Sequence, residues 1–249
     1  MKEVLLKGEA ITKEYSGVPV LQGINAEIYR GDFTVIMGSS GAGKSTLLYC
    51  LSGMDTITSG KITYQNTVLS DCPDKKMAEL RAKEFGFVFQ QSCLVSNLTL
   101  LENVLVAGFV GHAASELEIR EKAEELLRQM HVEKAKDRLP SQVSGGEAQR
   151  AAIARAMIGT PGLLFADEPT GALNRANSEE VLALLSGLHK AGQSILMVTH
   201  DAKAALRGNR ILYMEDGRFL DELFLPPYRN ADAALREKLL SDWLSKLQW

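Results

Sequence analysis

A glycine-rich segment with a single lysine follows a short apolar run near the start of the chain, and its spacing fits the pattern GxxxxGK[ST] in full. Glycines let successive backbone N–H groups turn toward one anion, and the helix expected after them offers its positive end to that anion. The lysine brings a point charge to the outer phosphates, and the serine after it brings a hydroxyl to Mg²⁺. A glycine-rich turn with a surface lysine is the alternative, which the flanking strand disfavours. The segment comprises Gly38, Ser39, Ser40, Gly41, Ala42, Gly43, Lys44, Ser45 and Thr46.

Two adjacent carboxylates follow a second apolar run. Residues 163–166 are Leu, Leu, Phe and Ala, and Asp167 and Glu168 come directly after them. A buried strand of a parallel sheet delivers such groups to the carboxyl edge, where ligands bind. Asp167 is therefore expected to hold Mg²⁺ through water, and Glu168 to polarise the attacking water.

A single histidine, His200, follows the apolar run 195–199. A lone histidine at the end of a strand is usually structural. Here it ends a third strand beside the same predicted pocket, so we expect it to contact the γ-phosphate. The other three histidines, His112, His131 and His189, have no such context and receive no role.

A second segment suited to anion binding begins at Ser144. Ser144, Gly145, Gly146 and Glu147 precede a helical run, so a hydroxyl and open N–H groups meet at a helix start. A chain that holds one triphosphate at one glycine loop does not require a second such site.

The periodicity of the remaining sequence predicts the elements that position these groups. Strands alternate with helices around the two apolar runs, which favours an α/β fold with a parallel sheet core. Between residues 95 and 160 helical spacing dominates, as expected of an inserted helical subdomain. The predicted strands are several within 1–30, then 33–37, 61–64, 85–89, 163–165, 195–198 and 210–215, with a hairpin turn at 216–217.

The end of the chain predicts one further helix. An apolar stripe at helical spacing is expected to pack on the parent domain, with a partner-binding face as the alternative. The stripe consists of Leu235, Leu239, Trp243 and Leu247.

Composition narrows the classes of function. The chain has 249 residues, a formal net charge of −3 and 45% hydrophobic residues, which is typical of a globular protein without a basic nucleic-acid-binding face. We find no signal peptide and no apolar stretch long enough to span a bilayer. Three widely spaced cysteines indicate reduced packing residues in the cytoplasm.

The segment from Val143 to Arg150 resembles the LSGGQ signature of ATP-binding-cassette (ABC) ATPases, with Val143 for Leu and Glu147 for Gln. By the same resemblance Tyr15 is the aromatic residue that stacks on adenine. Gln90, after Phe-Val-Phe, is the Q-loop glutamine that reaches Mg²⁺ and the water, and Gln91 beside it leaves a one-residue ambiguity. In the segment that resembles the D-loop, Asn174 stands where many relatives have Asp, so any acidic role there is in doubt.

This resemblance covers nearly the whole chain and implies a fold and a mechanism. It implies a P-loop fold with a RecA-like parallel sheet core, an N-terminal antiparallel β-subdomain and an inserted helical subdomain. The expected bounds are 1–94 and 160–225 for the β-subdomain and core, 95–159 for the signature subdomain and 226–249 for the C-terminal helix. Two copies would pair head to tail, each ATP lying between the glycine loop of one copy and Ser144, Gly145, Gly146 and Glu147 of the other.

The resemblance also implies a branch of the family. Lys44 and Ser144 are 100 positions apart (144 − 44), which leaves no room for the coiled-coil insertion of DNA-repair relatives. Residues 166–174 and 97–104 are similar to the MacB/LolD/FtsE branch, most of all to BceA-type ATPases of antimicrobial-peptide resistance. The expected partner is a separate membrane permease of the FtsX, MacB or BceB kind, which places the chain on the inner face of the membrane. The alternatives are a non-transport ABC ATPase acting on nucleic acid or ribosomes, and a P-loop kinase.

Overall fold

The structure is a computed structural model and describes residues 2–110 and 115–247; His112 lies outside these residues. The chain divides into two compact units. The first unit combines Met1–Pro73 with Leu188–Trp249, and the second is Asp74–Gly187. Within the described ranges, no helix has both the length and the apolar character needed to cross a bilayer.

Strands and helices alternate along the chain. The strands are β1 (Val4–Tyr15), β2 (Val18–Tyr29), β3 (Phe33–Met37), β4 (Ser59–Tyr64), β5 (Thr67–Val68), β6 (Phe85–Val88), β7 (Leu163–Asp167), β8 (Ser194–Thr199), β9 (Arg210–Glu215) and β10 (Arg218–Phe224). The helices are α1 (Lys44–Leu51), α2 (Asp74–Glu84), α3 (Leu100–Phe109), α4 (Glu116–Gln129), α5 (Gly145–Met157), α6 (Arg175–Lys190), α7 (Ala202–Ala205) and α8 (Ala233–Lys246).

The first unit contains an antiparallel sheet in the order β2-β1-β4-β5. The alternation expected of β2 is present, since Ile24, Ala26 and Ile28 are buried while Asn25 is exposed. One face of the sheet is therefore packed and the other is more open, as alternating strands require. The predicted N-terminal antiparallel β-subdomain is confirmed.

The same unit contains parallel strands around β3. β3 pairs in parallel with β8 on one side and with β9 on the other. All five residues of β3 are buried, as expected of a strand covered on both faces. β9 turns into β10 through Asp216 and Gly217, both with positive φ, which suits the predicted two-residue hairpin. The α/β class is confirmed.

The second unit is rich in helices. The apolar stripe predicted for α4 is buried, including Ile119, Ala123 and Leu127, and α3, α4 and α5 pack on one another. β6 and β7 pair in parallel in this unit, with Val88 opposite Ala166. Asp167 is the last residue of β7, and Gln90 follows the end of β6. The two residues therefore lie at the same edge of a pair of neighbouring strands.

The C-terminal helix differs from its predicted stripe. Trp243 is buried, but Leu235 is 61% exposed and Leu239 is 42% exposed, so the prediction for these two leucines is wrong. The buried face instead includes Arg236, which is 1% exposed. Its guanidinium donates to the carbonyl oxygens of Leu206, Gly208 and Pro226. Because of these polar contacts, the buried face of α8 is shifted by about one residue relative to the face that the apolar pattern predicts.

Candidate functional site

The glycine loop connects β3 to α1 in the first unit, and its shape depends on two glycines. A Cβ at Gly38 would lie 2.0 Å from the carbonyl oxygen of Met214, so only glycine fits beside β9. Gly43 has a φ of 98°, in the left-handed region that favours glycine, and directly precedes α1. The loop therefore curls tightly and presents the start of α1 to its own interior.

Lys44 points back into this loop. It is 7% exposed, and its Nζ donates to the carbonyl oxygens of Gly38 at 2.9 Å and Ser39 at 2.7 Å. A buried ammonium held at the mouth of the loop is placed to meet the outer phosphates of a nucleotide. Ser45 and Thr46 lie in the first turn of α1, partly accessible.

Tyr15 ends β1 with its ring 47% exposed. Its hydroxyl donates to Asp55 Oδ2 at 2.5 Å, and Lys13 Nζ lies 4.7 Å from the ring centroid. The hydrogen bond to Asp55 is the largest of the causes that raise the pKa of Tyr15 to about 12, so the phenol stays neutral. The hydroxyl is thus fixed while the ring remains available for stacking on a flat apolar group.

His200 lies at the same sheet edge as the glycine loop. In the β3–β8 pair Met37 is opposite Thr199, so Gly38 and His200 each follow directly from neighbouring strand ends. His200 is exposed, and Asp201 after it accepts a hydrogen bond from the N–H of Lys203 at the start of α7. The structure thus brings the predicted histidine to the edge that carries the loop.

The two predicted carboxylates lie at the end of β7 in the second unit. Asp167 is 8% exposed and is the last residue of that strand. Glu168 has a φ of 47°, a left-handed conformation that costs a residue with a side chain about 1–3 kcal/mol. Such a conformation persists only where its surroundings hold it.

Gln90 lies two residues beyond the end of the neighbouring strand β6 and packs on the turn after Glu168. A Cβ at Gly171 would lie 3.0 Å from Gln90 Nε2. Gly171 in turn donates its N–H to the carbonyl oxygen of Glu168 at 2.9 Å. Within the second unit, Gln90 and the acidic pair are therefore neighbours. Both Gln90 and Gln91 are exposed, and it is Gln90 that contacts this turn.

The signature segment forms a complete capping box at the start of α5. Ser144 Oγ accepts from the Glu147 N–H at 3.2 Å, and Glu147 Oε2 accepts from the Ser144 N–H at 2.8 Å and its hydroxyl at 2.7 Å. The hydrogen bonds from Ser144 hold the pKa of Glu147 below its usual value. Gly145 and Gly146 occupy the first turn, where Gly145 is exposed and Gly146 is buried.

Sequence reasoning missed how the Asn174 loop is tied to this segment. Asn174 Oδ1 accepts from the Asn177 N–H at 3.0 Å and so caps α6. A Cβ at Gly146 would lie 2.4 Å from Asn177 Cγ, so the Asn177 side chain packs directly on that glycine. The amide of Asn174 thus has a local structural use that does not need a charge. The sequence signal was present as an Asn three residues before another polar residue at a helix start.

Among the described residues, no group of three or more His, Cys, Asp or Glu side chains is arranged to hold a metal ion. The oxygen donors predicted for magnesium, Ser45 on one side and Gln90 with Asp167 on the other, belong to the first and the second unit respectively.

Comparison with known proteins identifies the family of the chain. Residues 21–171 match the family model described as ABC transporter. The chain is 40% identical over 219 residues to the lipoprotein-releasing system ATP-binding protein LolD of Aquifex aeolicus, covering 88% of this chain and 97% of that protein. It is 41% identical over 214 residues to the macrolide export ATP-binding/permease protein MacB of Mannheimia succiniciproducens. That match covers 86% of this chain but only 33% of MacB, so the chain spans about a third of that relative.

The fold has a close counterpart among solved structures. A dimeric structure of the ATP-binding cassette MJ0796, in a post-hydrolysis state with ADP and Pi, superposes with a TM-score of 0.83 at 36% identity. The superposition covers 90% of this chain and 100% of that one. The predicted P-loop fold and the MacB/LolD branch are confirmed, and the relatives favour a transporter ATPase over one that acts on nucleic acid. The chain belongs to the ABC transporter family, as one of its ATP-binding ATPase cassettes.

Proposed function

We propose that this chain hydrolyses Mg-ATP between two copies of itself and uses the cycle to drive a separate membrane permease. One observation carries the proposal: a complete glycine loop around a buried Lys44 coexists with a second, glycine-fronted helix start at Ser144. One triphosphate needs only the first of these sites. A head-to-tail pair of copies uses both, once for each nucleotide.

Each residue predicted from the sequence then has a role. The loop from Gly38 to Thr46 grips the phosphates, with Lys44 at the outer ones. Tyr15 stacks on the adenine ring. Glu168 takes the proton of the attacking water, and Gln90 and His200 orient that water and the γ-phosphate. Ser144, Gly145, Gly146 and Glu147 form the contact to the nucleotide that the partner copy holds.

Magnesium fits the donors that the chain offers. Ser45, Gln90 and Asp167 supply hydroxyl, amide and carboxylate oxygens, the hard ligands that Mg²⁺ prefers. Ser45 and Asp167 would hold the ion, and Gln90 would reach both the ion and the water. The ion would supply positive charge that neutralises the transferred phosphoryl group.

Pairing of two copies is supported by the dimeric form of MJ0796, which is bound to ADP and Pi after hydrolysis. In this proposal ATP is part of the interface. Loss of the γ-phosphate removes the contact to Ser144 and lets the copies separate, which is the mechanical output.

The permease would dock on the second unit. Four apolar side chains around α3 are well exposed there, Val95, Val106, Phe109 and Val110. An exposed apolar cluster of this kind marks an interaction site. We propose that it receives a cytoplasmic segment of a permease of the FtsX, MacB or BceB kind, which places the chain on the inner face of the membrane. Within that branch, the proposed process is either antimicrobial-peptide or antibiotic resistance of the BceA type, or export of the lipoprotein or macrolide type by mechanotransmission.

The central test is Glu168→Gln. The variant keeps the shape of the side chain but cannot accept the proton, so hydrolysis should slow by roughly 10²–10⁴-fold while ATP binding persists. ATP should then trap a dimer, measured by size-exclusion chromatography with light scattering. Glu121→Gln, an exposed position on α4, is the control and should hydrolyse normally. Normal turnover of Glu168→Gln would remove Glu168 from the mechanism.

A separate experiment tests the proposed docking surface for the permease. Val106→Asp and Phe109→Asp place charges in the exposed cluster on α3 without touching the nucleotide residues. Both should abolish co-purification of a multi-span membrane subunit, identified by mass spectrometry, while the isolated chain keeps its ATPase rate. If the membrane subunit still co-purifies with both variants, the docking surface lies elsewhere.

A further inference from the structure

Gln149 is a buried amide that the sequence motifs leave without a role. It is 1% exposed, and its Nε2 donates to two carbonyl oxygens, those of Phe89 at 2.7 Å and Pro169 at 2.9 Å. An amide nitrogen has two N–H donors, and both are used here. Phe89 directly precedes Gln90, and Pro169 directly follows Glu168. One side chain thus bridges the backbone beside both residues that are proposed to handle the attacking water.

A second contact anchors the same segment to the same helix. Arg155, also on α5, donates to the carbonyl oxygens of Ser92 at 2.9 Å and Cys93 at 2.5 Å. Desolvation by burial lowers the pKa of the Arg155 guanidinium. Cys93 has a φ of 49°, so this backbone adopts a conformation that needs outside support. Arg155 fixes the segment after Gln90 but does not reach the turn after Glu168.

The strained backbone of Glu168 makes the Pro169 contact more important. With a φ of 47°, Glu168 occupies a region that side chains disfavour, and the carbonyl held by Gln149 is the next one along the chain. Pro169 has no N–H of its own, so its carbonyl is the one backbone hydrogen-bonding group it offers. Loss of that hydrogen bond would let the peptide after Glu168 relax and redirect the carboxylate.

We propose that Gln149 is a positioning residue for hydrolysis, which fixes the separation of Gln90 and Glu168 and ties both to the helix that begins at Ser144. The proposal rests on the function proposed above for those three residues. Gln149 lies five positions after Ser144 on the same helix. A displacement of α5 on engaging the partner's nucleotide would therefore move the water-handling residues of the chain's own nucleotide.

The test is a double-mutant cycle on single-turnover ATP hydrolysis. Gln149→Met keeps the length of the side chain and removes both donors. In the wild-type background it should slow hydrolysis about 10–100-fold, in the range expected for misplacing a general base, with a KM for ATP changed less than about threefold. In the Glu168→Gln background the base is already absent, so the further loss should be under about threefold. A residue that supports the fold alone would give the same loss in both backgrounds.

Two controls separate the outcomes. Gln129→Met makes the same change at an exposed end of α4 and should leave every rate unchanged. If circular dichroism shows Gln149→Met to be unfolded, the cycle is run with Gln149→Asn, which keeps the amide but shortens its reach and should be non-additive with Glu168→Gln in the same way. Equal losses in both backgrounds, or an unchanged rate for a folded Gln149→Met, overturn the proposal. Normal turnover of Glu168→Gln would instead count against the proposed function itself.

Discussion

Two helix starts in this chain are suited to an anion, and they are built in opposite ways. α1 begins after Gly43, which has no side chain to cap it, and its first turn carries Lys44 and no acid. α5 begins with Ser144 and Glu147 in a closed capping box, so an acidic residue already occupies its first turn. The first therefore has a cation at its start, held by the carbonyl oxygens of Gly38 and Ser39, whereas the second has an acid there that caps the helix.

This difference in capping predicts different roles for the two helix starts. A glycine-capped helix start with a buried lysine attracts phosphate, and we therefore propose that it is the permanent nucleotide site. At α5 the Ser144 hydroxyl donates to Glu147, so contact with a phosphate oxygen has to replace an existing hydrogen bond. Binding there is expected to be weaker and reversible, which suits an interface that must open in each cycle.

The capping box alone does not define the second site. Thr99 with Glu102, and Ser115 with Glu118, form the same box at the starts of α3 and α4. What differs is the residues that follow: two leucines after Thr99, Glu116 and Leu117 after Ser115, and two glycines after Ser144. Gly145 is exposed and leaves room at the helix start for a second molecule, and the boxes of α3 and α4 provide matched controls.

The largest expected effect comes from breaking the first site. Lys44→Ala removes the cation from the glycine loop, and ATP hydrolysis should fall by about 100-fold or more, as for other preorganised charges at a phosphoryl group. The ATPase rate is measured as phosphate release under saturating ATP, and nucleotide binding is measured by fluorescence. Lys75→Ala on the exposed face of α2 is the control. An unchanged ATPase rate in Lys44→Ala would take the loop out of the mechanism.

Breaking the second site should have a smaller effect. Ser144→Ala removes both the cap of α5 and the proposed phosphate contact, so we expect about 1 kcal/mol of lost stability and about a tenfold loss of ATPase activity, the loss of one hydrogen bond in the transition state. Ser115→Ala breaks the same box on α4 and should lose stability without losing activity. Thermal melts and steady-state rates, measured together, separate the two. Equal activity losses in the two variants would mean that Ser144 is only a cap.

The charge of Glu147 sharpens the comparison further. Glu147→Gln removes one negative charge from the site proposed for the γ-phosphate, so the ATP-trapped dimer formed in the Glu168→Gln background should tighten about three- to tenfold, equivalent to roughly 1 kcal/mol of relieved repulsion. Analytical ultracentrifugation gives the dimer dissociation constant. Glu118→Gln on α4 should leave it unchanged. A weaker dimer in Glu147→Gln would show that the carboxylate is needed for its geometry.

The smallest effect concerns pH. The pKa of Glu147 is lower in the folded chain than its ordinary value of 4.5, so its carboxylate stabilises the fold fully above that value. This contribution is lost as the pH falls from about 4.5 through the lowered pKa. Glu147→Gln should therefore reduce the difference in melting temperature between pH 6 and pH 3.5, measured by thermal melts at the two pH values. An unchanged difference would show that the box does not stabilise α5 through its charge.

Local signals in the sequence determined much of this protein. An apolar run into GxxxxGKS predicts the strand, the turn and the helix start together, because each residue acts on its immediate neighbours. Ser144 and Glu147 likewise predict the cap of α5, since both partners lie within one turn. The bounds of β3 and the turn at Asp216 and Gly217 were predictable for the same reason.

Contacts between residues distant in sequence were decided only by the tertiary structure. Gln149 donates to the carbonyl oxygens of Phe89 and Pro169, and the Asn177 side chain packs on Gly146. These residues are too far apart in sequence for a local pattern to predict the contacts. The packed face of α8 was mispredicted because burial of Arg236 against three carbonyls outweighs the exposure of two leucines. Periodicity reports which side chains are apolar, but the unpaired backbone groups of the rest of the fold select which face is buried.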